Sequence, residues 1–340
     1  MRALVVRNGR VGCLARPEPQ AAPGEAIVRI TLAGICGTDL ELLAGYKGFV
    51  GTPGHEFVGV VEEVVEEVVE DIVGGDAARV WIGRRVVGEI NVGCHECQLC
   101  AVAGPGHCAE RRVLGLIGMD GAMAERVAIP VANLHVVPES VSDASAVFAE
   151  PLAAACRIPE QVEIGTTTRA VVVGAGRLGT LCALVLRARG ARVEAVARSD
   201  RARIILAAAG INVVTSAPLI EPGADVVVDA TGSAAGLAAA RLLVRPRGTL
   251  VIKSTCASPR GAEALQPTAL VVDEITVVGS RCGPFDEALR LLADGTIDPR
   301  PLIHSTHALS RGADAFAAAA NRGTLKVLLS PDGDGRVRTL

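Results

Sequence analysis

Ala170-Val171-Val172-Val173-Gly174-Ala175-Gly176-Arg177-Leu178-Gly179 is the stretch that decides the fold. An apolar run that reads as a buried strand meets a glycine-rich turn, and the helical run Thr180–Arg189 follows at once. In such a unit Gly174 allows the tight turn, Gly176 lets the backbone approach a pyrophosphate, and Gly179 permits close helix–strand contact. The helix N-terminus then faces the phosphates. Taken alone, the glycine spacing could equally be an ordinary strand-to-helix turn. Repetition strengthens it, because Val193–Ala197, Val226–Ala230, Leu250–Lys253 and Thr276–Gly279 are further apolar strands separated by Ala/Leu/Arg-rich helical stretches. Alternation of this kind predicts an α/β, doubly wound parallel sheet of Rossmann type. Gly174, Gly176, Arg177, Leu178 and Gly179 are its cofactor-binding candidates.

The end of the second strand indicates which dinucleotide is expected. An NAD site wants an acid there for the ribose 2′-hydroxyl, whereas this chain reads Val196-Ala197-Arg198-Ser199-Asp200-Arg201. Arg198, Ser199 and Arg201 offer a guanidinium fork, a hydroxyl and a second positive charge, which suit a 2′-phosphate and favour NADP over NAD. Asp200 is the competing ribose acid, three residues beyond the expected strand end.

Upstream, to about Leu134, the text is short β-rich runs broken by glycine and proline: Arg2–Val6, Glu25–Leu32, Phe57–Val65, Val80–Ile90 and Arg126–Ile129. Within it Cys94, Cys97, Cys100 and Cys108 stand at C-x2-C-x2-C-x7-C spacing, which can surround one tetrahedral Zn²⁺. Four thiolates close the coordination sphere, so this zinc is expected to be structural. An iron–sulfur run usually closes with three intervening residues and a proline, and a disulfide knot suits secreted chains. Ser142–Ile158 reads as a helical bridge with Ser142 and Asp143 as plausible N-caps, and Asp286–Asp294 reads as a further helix. The resulting division is residues 1–150, with the lobe 94–108 inside it, then 151–282 for the cofactor, then 283–340 returning to the first domain.

Bulk composition narrows the function classes. The 340 residues with 50% hydrophobic content supply two cores, and a net charge of −3 gives no basic field for nucleic acid. No stretch reaches the ~20 uninterrupted apolar residues of a membrane span. An aromatic content of 2% argues against stacking platforms for bases. The N-terminal residues lack the h-region and cleavage site of a signal peptide, and ten cysteines suit a reducing compartment, so the expected setting is cytoplasmic. The acidic repeat Val60–Glu70 is read as a strand pair or short helix with solvated charges.

A second metal set is scattered through the β-rich part. Cys36, His55 and one or both of Glu56 and Glu150 provide a thiolate, an imidazole and a carboxylate, the mixture that holds a catalytic Zn²⁺ with a vacancy. Asp39 is suited to hold the second nitrogen of His55, and Thr38 to pass a proton. Glu89 and Asn91 are polar candidates for the pocket edge, while His95, His107, His135, His304 and His307 read as surface or structural.

In order along the chain, Gly34-Ile35-Cys36-Gly37-Thr38-Asp39, Gly54-His55-Glu56, the four-Cys lobe, Glu150-Pro151-Leu152, the Gly174–Gly179 turn and Asp229-Ala230-Thr231-Gly232 resemble the zinc-dependent medium-chain dehydrogenase/reductase superfamily. The resemblance implies a GroES-like catalytic domain, a C-terminal return to it, and homodimers or homotetramers. With it the expected activity is reversible oxidation of a small-molecule alcohol, either a secondary alcohol, a polyol or a sugar, the residues above pointing to NADP(H) as the hydride carrier and to two zinc ions per chain. Glu150 stands where simple alcohol dehydrogenases carry a cysteine, which resembles the polyol and sugar branch. Several relatives carry a relay histidine where this chain has Glu41; Glu41 either replaces it or binds a substrate hydroxyl. The alternatives are an NADPH-binding protein of the same fold without this activity, and a zinc-independent quinone or enoyl reductase, which would lack both metal sets.

Overall fold

The structure, a computed structural model, describes residues 1–66, 80–255, 260–331 and 338–339. The chain divides into two compact units, Pro151–Leu302 and the combination of Met1–Glu150 with Ile303–Leu340. The sequence reading returned the chain to the first unit at residue 283, and the structure does so twenty residues later. The intervening helix Phe285–Ala293 buries Phe285, Ala288, Leu289, Leu291 and Leu292, and its Glu287 pairs at 2.8 Å with Arg189, just beyond the helix Arg177–Ala188. The helix thus belongs to the parallel-sheet unit.

That sheet has six strands, all parallel, in the spatial order Asn212–Val214, Arg192–Val196, Arg169–Val173, Ala224–Asp229, Val244–Ile252 and Thr276–Gly279. By chain position the order is third, second, first, fourth, fifth, sixth, which is the doubly wound arrangement. Its central strands are β-branched and buried on both faces, with Val171, Val227 and Leu250 wholly enclosed. Each such side chain contributes about 1.5–3 kcal/mol relative to exposure. The third strand, absent from the sequence reading, is three residues long and only partly buried.

The other unit is built on an eight-stranded mixed sheet. Its longest strand, Glu25–Gly34, pairs antiparallel with Glu56–Val64 and with Arg126–Pro130, and at its far end with Lys326–Ser330. Lys326–Ser330 in turn runs parallel to Ile303–Ala308, so the C-terminal segment completes this sheet. The register places Gly34 opposite both Glu56 and Leu328. Of the acidic repeat, Glu56–Val64 is strand with Glu62 and Glu63 exposed, and residues 67–70 lie outside the described residues. The expected strand Val80–Ile90 shortens to Arg85–Gly88. The helical bridge resolves into Asp143–Ala146 and Ala149–Gln161. Among the described residues no helix is long and apolar enough to cross a membrane.

Candidate active site and metal centres

Just beyond the strand Glu25–Gly34, Cys36 is the N-cap of the helix Gly37–Leu43. Asp39, wholly buried in the first turn of that helix, accepts from the Cys36 amide at 2.8 Å and from the Gly54 amide at 3.2 Å. One carboxylate therefore ties the cysteine loop to the histidine loop. Its Oδ1 also lies 3.7 Å from Nδ1 of buried His55. Burial pushes the Asp39 carboxyl up from its usual range, although the His55 ring and the Cys36 amide pull against that. Burial likewise opposes charging of His55, but Asp39, the Cys36 thiol and Glu150 outweigh it and hold its pKa well above the usual imidazole value. The imidazole thus feels three anionic or thiol groups from two segments, Cys36 and Asp39 at one helix start and Glu150 from another.

This arrangement fits a cation. Nδ1 of His55 has no hydrogen-bond partner among the described residues and faces Asp39, the orientation in which a carboxylate holds the outer nitrogen of a metal-ligating histidine. Thiol, imidazole and the Glu150 carboxylate are the donor types of an open zinc site. They are more widely spread than the four-thiol cluster, which is the only group of three or more such donors among the described residues with all ligand atoms within 4.8 Å of one another. Thr38 is half-buried, and the Cys36 Sγ donates to its Oγ1 at 3.8 Å. Glu41 is exposed on the same helix and enters none of these contacts.

Glu56 is engaged differently. Its Oε2 accepts from the Lys326 Nζ in an ion pair buried at both ends, with the Phe148 ring centroid 5.6 Å from the ammonium. Gly34 makes room for this pair, because a Cβ there would collide with the Glu56 carboxylate. Glu56 is thus engaged by Lys326, while Glu150, the other carboxylate considered for zinc, is among the groups that raise the His55 pKa. Sequence reasoning missed Lys326; its one signal was a charge at the head of the apolar run Val327–Leu329.

In the four-Cys lobe Cys97 caps the helix Gln98–Ala103 by accepting from the Cys100 amide at 3.4 Å. Sulfur–sulfur separations are 3.5 Å for Cys94–Cys108, 3.9 Å for Cys97–Cys108 and 4.0 Å for Cys94–Cys100. Zn–S bonds of about 2.3 Å give tetrahedral edges of about 3.8 Å, so the cage has the size zinc requires. Backbone amides of Glu96 and Cys97 draw the Cys94 thiol down to about 7, toward the thiolate a metal binds. Nearby, Glu89 bonds His135 at 3.2 Å, and Asn133 donates to the carbonyls of Glu89 and Asn91. Both pocket-edge candidates are thus engaged in contacts that support the loop.

In the parallel-sheet unit Gly174 has φ +92° and packs against Thr231, where a Cβ would approach the Thr231 Cγ2 to 2.6 Å. Gly176 is the N-cap of Arg177–Ala188 and provides no side-chain cap, and a Cβ on it would meet nothing closer than the Gly174 carbonyl at 4.0 Å. A backbone bare of side chain at the start of a helix is what close approach of a pyrophosphate requires. Ala197 closes the second strand by bonding Val214, and Ser199 stands at the N-cap position of the next helix, Asp200–Ala208, without a side-chain capping bond. Asp200 pairs with Arg203 on its own helix, and Arg201 donates to the Pro301 carbonyl at 2.7 Å. Arg198 is exposed, and no hydrogen bond or ion pair engages its guanidinium among the described residues.

Residues 22–139 match the alcohol dehydrogenase GroES-like domain, and residues 178–294 match the zinc-binding dehydrogenase domain. Sorbitol dehydrogenase of Halalkalibacterium halodurans is 28% identical, over 97% of this chain and 99% of its own. A Sinorhizobium meliloti 1021 protein solved with NADP superposes with a TM-score of 0.85 at 27% identity, covering 97% of this chain and 99% of that one. RspB of Escherichia coli CFT073, an alcohol dehydrogenase solved with NADH, gives a TM-score of 0.85 at 26% identity and the same coverage. Two domain matches in series, a near full-length sequence relative and two near full-length structural likenesses agree with the glycine turn and the four-Cys cluster: the chain belongs to the zinc-binding dehydrogenases of the medium-chain dehydrogenase/reductase superfamily.

Proposed function

We propose that this chain is a zinc-dependent oxidoreductase that interconverts an alcohol, of the secondary, polyol or sugar-like kind, and its carbonyl compound with NADP(H). The observation that carries the proposal is buried Asp39, which accepts from the Cys36 and Gly54 amides and faces Nδ1 of His55 at 3.7 Å, so that one carboxylate ties the cysteine loop to the histidine. Zinc at these ligands would supply Lewis-acid polarisation of a substrate hydroxyl, and the dinucleotide would supply the hydride carrier. Asp39 fixes the His55 ring and, through the Cys36 amide, the cysteine loop. Thr38, adjoining the Cys36 sulfur, is the group that takes the hydroxyl proton at its Oγ1. Glu41, exposed on that helix, is assigned to a substrate hydroxyl or to the outer end of the proton path. Lys326 neutralises Glu56, so a cation at the site answers mainly to Cys36 and Glu150.

Arg198 reads the 2′-phosphate, with Ser199 beside it and Arg201 adding positive charge; the engagement of Asp200 with Arg203 supports this over a ribose acid. The four-thiol cage carries the structural zinc. A cytoplasmic setting and a homodimer or homotetramer complete the proposal. The test is oxidation of a panel of polyols, sugars, amino sugars and secondary alcohols with NADP⁺ and with NAD⁺. Turnover of at least one, faster with NADP⁺ and abolished in Cys36→Ala, is expected; no turnover across the panel in zinc-replete protein would favour a non-catalytic dinucleotide-binding protein.

A further inference from the structure

The parallel-sheet unit buries a lysine that the proposed reaction has not used. Lys253 follows the fifth strand, Val244–Ile252, and is 8% exposed. Its Nζ donates to the Ser280 Oγ at 3.1 Å and to the Arg281 carbonyl at 2.5 Å, just beyond the sixth strand. Its amide bonds the Asp229 carbonyl at 2.9 Å, at the end of the fourth strand. One residue therefore ties together the carboxyl ends of three adjacent strands. Enclosing an ammonium group carries a desolvation cost that a methionine of similar length would avoid, so the bonds it makes are the reason to look for a role here.

In a doubly wound sheet ligands lie outside the carboxyl ends of the strands, and the two halves of the sheet take the two mononucleotides. The glycine turn and Arg198 belong to the first half, which leaves the ends of the fourth to sixth strands for the nicotinamide half. We propose that Lys253 is a positioning residue for the nicotinamide half of the dinucleotide: by holding the Ser280 hydroxyl and the Arg281 carbonyl it fixes the backbone edge against which that half is bound. A carbonyl held on Nζ sets the whole plane of the peptide that follows it. This inference rests on the dinucleotide reading above and extends it to one residue.

Binding separates the two. The affinities of NADPH and of 2′-phospho-ADP-ribose, which lacks only the nicotinamide, are measured by calorimetry on the full chain for wild type, Lys253→Met, Lys253→Arg and the milder Ser280→Ala. NADH and ADP-ribose replace them if the wild type binds that pair more tightly. Lys253→Met should weaken NADPH binding by about tenfold, equivalent to about 1.4 kcal/mol, and leave the truncated ligand within twofold. Lys253→Arg should restore part of the loss, and Ser280→Ala should show a smaller change of the same selectivity. Equal losses for both ligands, or no loss for either, would overturn the positioning role. A wild type that binds neither ligand pair would overturn the dinucleotide reading itself.

Discussion

Replacing Lys326 by methionine isolates an ion pair buried at both ends in the eight-stranded unit. The side chains of Lys326 and Glu56 are only 3% and 1% exposed, and the Phe148 ring covers the ammonium. Methionine preserves most of the stem volume but leaves the Glu56 carboxylate enclosed without its cation. Removing one partner of a buried pair costs about 3–5 kcal/mol, because the survivor keeps its desolvation cost. At about 2–4 °C per kcal/mol for a unit of this size, melting should fall by about 6–20 °C. Replacing both partners, Lys326→Met with Glu56→Gln, should recover most of that loss, since no charge is then stranded. Differential scanning calorimetry of wild type, both single variants and the double variant gives the coupling directly. A Lys326→Met protein within about 1 kcal/mol of wild type, or a double variant whose loss is the sum of the singles, would refute the buried-pair account.

Three further outcomes follow from the site geometry. Cys94→Ser should lower thermal stability or solubility, since structural zinc contributes folding free energy, and the variant should lose one zinc by elemental analysis. Thr38→Ala should reduce kcat by about 10²–10⁴-fold and Thr38→Ser only mildly; unchanged rates in both would move the proton path to Glu41. The Ala197→Asp/Arg198→Ile double variant should reverse a preference of about 10- to 100-fold for NADP over NAD, because the carboxylate repels the 2′-phosphate and binds the ribose hydroxyls. A wild type whose kcat/KM already favours NAD would return the ribose contact to Asp200.

What was legible in the sequence was local. The glycine turn is written in ten consecutive residues and gains its meaning from the strand–helix units that repeat after it, whereas the four-thiol cluster is written in fifteen residues and is announced by its spacing. Strong β-branched runs likewise announced the central strands of the parallel sheet. The third strand did not announce itself, being short and only half-buried. The unit boundary was misplaced because the helix Phe285–Ala293 carries an amphipathic pattern that does not state which sheet it covers. Glu56 and Lys326 meet across 270 residues of chain, and only the pairing of Lys326–Ser330 with Glu25–Gly34 brings them together. Spacing therefore left Glu56 and Glu150 as equal candidates for zinc. In the structure Glu56 is paired with buried Lys326.

Zinc content per chain, measured by elemental analysis on wild type and Cys36→Ser alongside NADP⁺-dependent oxidation of the best alcohol substrate, tests the central claim most directly. The account predicts two zinc ions in the wild type and one in the variant, with turnover lost and the fold retained. One zinc or none in fully active wild type, or a Cys36→Ser protein that keeps both zinc and rate, would contradict it.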